Sequence, residues 1–202
     1  MPDTGLKTDF RAKVNNKLSD IGVKNHLKQR IVQSMTAVVE SFAGAVQVFG
    51  KDAHPGNWLA ADRGEIAALD MEDKGVVPLE IDLVNLLEFD SFGLKRRQRE
   101  ELKERIIGVY LEYYGRYLEC SGEKMPFSRL RYLNAVIQRM LCLYCFWSCR
   151  GRDTAGIRRN FVLDNALYAI GEISHRFKDY FSSHHRDYNG LETALNRLKF
   201  PG

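Results

Sequence analysis

The chain has 202 residues, 45% of them apolar, which is enough to bury a full core and fits one domain. No run approaches eighteen consecutive apolar residues and the N-terminal M-P-D-T-G-L-K-T-D-F has no signal-type apolar stretch, so a spanning segment and a leader are not expected and a cytoplasmic protein is. The net charge of +4 hides an acidic island: residues 51–93 hold 3 Lys and Arg against 10 Asp and Glu, a net of −7, while residues 1–50 and 94–202 come to +3 and +8. Such an island suits divalent cations and repels nucleic acid.

In chain order, residues 6–20 and 24–46 are expected to be helices, the second from Ile31, Met35, Val38, Val39, Phe42 and Val46 at three- and four-residue steps. Gly44 and Gly50 then lead into G-K-D-A-H-P-G-N at 50–57. Two short apolar runs, 57–61 and 65–69, flank Asp62-Arg63-Gly64 and read as a small β-hairpin that sets Asn57 near Asp70. The run from Met71 to Leu79 is loop-like, with Gly75 and Pro78 as breakers, and Asp82 is a candidate N-cap for the helix that follows. Further helices are expected at 94–119, 127–149, 158–181 and 190–198. The pattern is α+β and mainly helical.

The chemistry sits in the acidic island. Asp52, Asn57 and Asp70 supply a carboxylate able to take a hydroxyl proton and two hard oxygen ligands for Mg²⁺. A D-x-x-x-x-N followed by a metal-binding Asp is the spacing of a kinase catalytic loop. Glu72 is open between holding a metal-bound water and simple solvation. His54 is a loop histidine of a kind more often structural than catalytic. Lys51 beside Asp52 either contacts a phosphate or lies on the surface. Cys142, Cys145 and Cys149 share one helix face among apolar neighbours and read as buried free thiols, with Cys120 alone; no disulfide or zinc site is expected.

Three ordered segments, D-A-H-P-G-N-W-L, A-L-D-M-E-D-K-G and P-L-E-I-D-L-V-N-L-L, resemble the aminoglycoside phosphotransferase and choline kinase-like superfamily, whose members carry H-G-D-x-H-x-x-N, I-D-W-E and G-x-x-x-x-D-L-A at similar spacing. The resemblance implies a protein-kinase-like C-terminal lobe over residues 1–202: leading helices at 1–49, catalytic loop, hairpin and metal-binding segment at 50–93, and a helical subdomain at 94–202. It implies Asp52 as catalytic base, Asn57 and Asp70 as Mg²⁺ ligands, Lys51 and His54 beside the nucleotide, and Asp82 as a brace of the loop. The chain departs from the pattern at Gly50-Lys51, where the family has H-G. It also has no strand-rich region, Gly-rich phosphate loop or V-A-I-K lysine before residue 50, so the N-terminal ATP-binding lobe is expected to be absent.

The expected function is transfer of the γ-phosphate of ATP to a hydroxyl of an aminoglycoside, amino-alcohol or sugar, with the N-lobe supplied by a partner chain or with self-association. The alternative is a non-catalytic kinase-like binding module. Neither nucleic acid nor membrane is an expected partner: the basic 95–105 run interleaves no aromatics with its charges. Glu112, Glu119, Asp164 and Glu172 are candidates for a cationic acceptor, and Tyr113, Tyr114, Trp147 and Tyr168 for an aromatic cage, although core packing accounts better for the aromatics.

Overall fold

A computed structural model of the chain describes residues 5–45, 47–51, 58–60, 66–68, 73–88, 96–121, 127–149 and 157–199. It is mainly helical, with two antiparallel two-stranded ladders among the described residues. The chain divides into two compact units, one made of 1–43 with 133–202 and the other of 44–132.

In the first unit, α1 (Gly5–Asp20) ends where Gly22 takes φ +72. The N–H groups of Gly22 and Val23 return to the carbonyls of Ser19 and Leu18 at 3.0 and 3.1 Å, so the last turn is capped by its own backbone. The helix expected over 24–46 is two shorter ones, α2 (Asn25–Ser34) and α3 (Thr36–Glu40). The break has a local cause, since the Thr36 hydroxyl donates to the Gln33 carbonyl at 2.9 Å and competes with the helical ladder. After α3 the chain turns, and Gly44 at φ +70 closes helical progress. The expected helix at 158–181 likewise divides, into α7 (Ile157–Arg176) and α8 (Lys178–Ser183), with Phe177 at φ −125, ψ 53 between them. The last helix, α9 (His185–Lys199), begins before the expected start at 190.

These helices form because their apolar residues recur at helical steps and bury one face each. Ile31 on α2, Ile173 on α7, and Tyr188, Leu191 and Leu195 on α9 are fully enclosed. α9 packs against α2 and α7, and α1 against α2. At the α2–α9 crossing the backbones come so close that a Cβ at Gly190 would collide with the Ser34 hydroxyl. The α8–α9 segment also grips α3 at a single residue: Tyr180 donates its hydroxyl to the Ala37 carbonyl at 2.7 Å, and Asp187 Oδ2 accepts the Ala37 N–H at 3.2 Å.

In the second unit, β1 (Gln47–Lys51) pairs with β4 (Asp73–Pro78), and β2 (Trp58–Ala60) with β3 (Ile66–Ala68). β1 and β4 stand where a helix end and a loop were expected. Val48 lies opposite Val77 and Phe49 opposite Val76, so pairing with a distant apolar partner overrides the local pattern. Pro78, read from sequence as a breaker, ends the strand, where its missing N–H costs little. The strand continues straight into α4 (Leu79–Leu87) with Pro78 as N-cap, so Asp82 is the fourth residue of α4 and not its cap. α4 packs on both β1 and β4. α5 (Arg96–Ser121) and α6 (Arg129–Cys149) follow, and the division between the units falls within α6.

Candidate functional site

The ladders set the frame for the acidic segment. Register places Lys51 opposite Asp73 at one end of the β1–β4 ladder, and Trp58 opposite Ala68 at one end of the β2–β3 ladder. Paired residues in antiparallel strands have Cα atoms about 5 Å apart. Segment 52–57 therefore leaves and rejoins the described chain at points each paired with an end of segment 69–72. Between Phe49 and Lys51 the ladder slips: β1 advances two residues while β4 goes from Val76 to Asp73, three, so the extra residue is on β4, around Lys74-Gly75. A bulge beside a glycine there turns the strand at the edge nearest the motif.

Of the candidate residues, Lys51 is the last residue of β1, described in its backbone alone, and Asp82 is likewise a backbone position on α4. Asp52, His54, Asn57, Asp70 and Glu72 lie outside the described residues. Among the described residues no group of His, Cys, Asp and Glu is arranged to hold a metal ion.

The sequence reading missed a polar core that ties α4 to its neighbours at both ends. At the N-terminal end, Glu80 is fully buried; its Oε1 accepts the Ser128 N–H at 2.9 Å and Arg131 Nε at 2.8 Å. Among the described residues no donor reaches its Oε2. At the C-terminal end, Lys103 Nζ spends its three protons on Glu88 Oε1, Glu88 Oε2 and Glu100 Oε1, each at 2.8 Å. Tyr132 adds its hydroxyl to Glu88 Oε1 at 2.8 Å. Burial first, then the Glu88 charge, holds the Tyr132 hydroxyl well above the ordinary tyrosine range, so it is a donor at any physiological pH. Glu80 lies in the first turn of α4 and Glu88 just past its last residue, and two carboxylates set in so apolar a run were the available signal.

Several acceptor-recognition candidates already have partners within the chain. Glu112 pairs with Arg116, Asp164 with Lys199 at 2.5 Å, and Glu172 with Arg176 at 2.6 Å. The Trp147 ring is covered by the Arg158 guanidinium, 4.3 Å from its centroid. The side chains of Tyr113, Tyr114 and Glu119 lie outside the description. The cysteines divide: Cys145 is buried, and burial pushes its thiol up to about 12, which leaves it inert as a nucleophile, whereas Cys149 is exposed rather than buried as expected.

Compared with known protein families, curated proteins and solved structures, the chain matches none. No helix among the described residues is long and apolar enough to cross a membrane.

Proposed function

We propose that the second unit is the catalytic half of a cytoplasmic ATP-dependent phosphotransferase acting on a hydroxyl of a small molecule, with the adenine-gripping half supplied from outside these residues. One observation supports this above the others: the strands on either side of segments 52–57 and 69–72 pair with each other, Lys51 with Asp73 and Trp58 with Ala68. A base on the first segment and metal ligands on both require such shared anchoring, which a solvated acidic loop does not.

In this reading Asp52 takes the proton of the acceptor hydroxyl as its oxygen bonds to the γ-phosphorus and the bond to the β-phosphate oxygen breaks, releasing ADP. Asn57 and Asp70 would hold Mg²⁺, which would supply neutralisation of phosphate charge. Lys51 and His54 contact the phosphates. Phosphoryl transfer asks the protein mainly for positioning, and α4, packed on β1 and β4 and tied at both ends by Glu80 and Glu88, stiffens the ladder that does it. Described residues 5–40 are helical, so they supply no strand-built phosphate grip; this favours an outside N-lobe and keeps a non-catalytic binding module as the second reading.

The test is ADP release by the chain, alone and with candidate partner chains, over aminoglycosides, amino-alcohols and sugars. Acceptor-dependent release that Asp52→Ala abolishes supports the proposal. Release that survives Asp52→Ala removes it. Absence of turnover in every mixture, with partner binding indifferent to Asp52→Ala, selects the second reading.

A further inference from the structure

The first unit carries 17 Lys and Arg against 10 Asp and Glu, and from Ile21 to Val39 the sequence has three cations and no acid. Two of its helices set part of this charge along one seam. α2 and α9 run in opposite senses, since Ser34 meets Gly190 while Ala37, further along, bonds Asp187. On α9, Arg186, Gly190, Thr193 and Arg197 follow at steps of four, three and four, a single stripe that Gly190 puts beside α2. Arg30 stands one turn from Ser34 on α2 and so borders the same seam. At about 1.5 Å per residue the three arginines spread over about 16 Å, Arg186 toward one end and Arg30 and Arg197 toward the other. All three are exposed, as are Gln33 and Thr193. Among the described residues no ion pair or hydrogen bond engages the three guanidinium groups. The acids nearby are directed elsewhere: Asp187 accepts the Ala37 N–H, Glu40 faces His184 at 3.3 Å, and Glu192 is about 100° around α9 from Thr193.

We infer that the α2–α9 seam binds the phosphate backbone of a double-stranded nucleic acid without regard to sequence. Free arginines beside amide and hydroxyl donors, with no competing acid, are the donor set that backbone phosphates attract. A span of about 16 Å matches about five phosphates of one strand. A membrane surface is disfavoured: among the described residues the large exposed apolar side chains are Leu102, Val109, Phe146 and Ile157, all on other helices, so nothing at the seam would insert. A folded protein partner needs an apolar centre to its interface, which the seam lacks for the same reason. A single strand needs aromatic faces for its bases, and the one Phe, Tyr or Trp of the two helices, Tyr188, is fully buried. The expectation against nucleic acid drew on the acidic residues 51–93 and the 95–105 run, and both belong to the second unit. This inference is independent of the phosphotransferase reading.

Fluorescence anisotropy of the full chain with a labelled duplex of about 20 base pairs and mixed sequence tests this. About three neutralised phosphates give a slope of log K against log salt near −3, a loss of roughly forty-fold in affinity between about 50 and 200 mM salt. Arg30→Ala combined with Arg197→Ala should weaken binding about ten-fold or more at the lower salt and bring the slope to about −1. Arg97→Ala combined with Arg116→Ala removes the same charge from α5, where both cations are paired, with Glu101 and Glu112, and should bind as the parent does. All four side chains are exposed, so the substitutions leave the fold intact, which circular dichroism checks. A second duplex of unrelated sequence should bind equally well. No binding at the lower salt, an unchanged slope in the Arg30 and Arg197 variant, an equal loss in the Arg97 and Arg116 variant, or tighter binding to phosphatidylserine vesicles or a poly-glutamate peptide than to the duplex would each overturn the inference.

Discussion

Gly190→Ala is the sharpest probe of the helical packing in the first unit. On an exposed helix this change stabilises by about 1 kcal/mol, because alanine loses less backbone freedom. Here the new methyl has no room: it would collide with the hydroxyl of Ser34, itself only 6% exposed, and sit 3.3 Å from the Ser34 Cβ. Overpacking of this kind costs about 1–3 kcal/mol, so the expected stabilisation is cancelled or turned into a net loss of up to roughly 2 kcal/mol. For a chain of this size that is a fall in Tm of up to roughly 8 °C. Ser34→Ala removes the colliding oxygen and leaves a tight but tolerable methyl–methyl contact, so the double variant should recover most of the loss. The four proteins form a cycle in which thermal and urea unfolding read a coupling of about 1 kcal/mol or more. A Gly190→Ala protein stabilised by the full amount of about 1 kcal/mol in the presence of Ser34, or additive effects in the cycle, would refute the close approach of α2 and α9.

Lys103→Met should destabilise the second unit by about 3–5 kcal/mol in urea unfolding, because it strands the buried Glu88 carboxylate. Replacing the cluster together, as Glu88→Leu, Lys103→Met and Tyr132→Phe, should return most of that loss. Stability should fall as pH rises past about 9. Cys145 and Tyr180 have folded-state values raised by burial from 9.0 and 10.0 to about 12, so the native chain retains protons that the unfolded chain gives up. Their contribution is complete below about pH 9 and lost through pH 12, which tyrosinate absorbance and circular dichroism will follow together; coincident shifts to lower pH in Tyr180→Phe would contradict this. On the phosphotransferase reading, Asp70→Asn should raise the Mg²⁺ needed for half-maximal ADP release roughly ten-fold or more without moving Tm; an unchanged Mg²⁺ requirement would remove Asp70 from the metal site.

What could be seen in the sequence, and what could not, follows the range of the forces involved. α1 and α6 declare themselves through apolar residues at helical steps, which are local. The break at Thr36 turns on a single side chain, and the early start of α9 at His185 lies at the margin of periodicity. β1 was hidden because Val46, Val48 and Phe49 prolong the apolar run of the preceding helix, and β4 because its two valines sit among Lys74, Gly75 and Pro78. Only pairing across the chain, Val48 with Val77, makes them strands. Lys103 was unreadable for a similar reason: in a run of like cations nothing marks the one that a distant Glu88 draws inside. The motif residues were chosen by chemical type and spacing, and spacing alone promised that Asn57 and Asp70 would meet through a hairpin. The frame is larger than that hairpin. The outer β1–β4 ladder, invisible to local reading, anchors the other ends of the same two segments and joins them to α4. Segments close together in sequence can thus depend for their anchoring on contacts that no short window of that sequence contains.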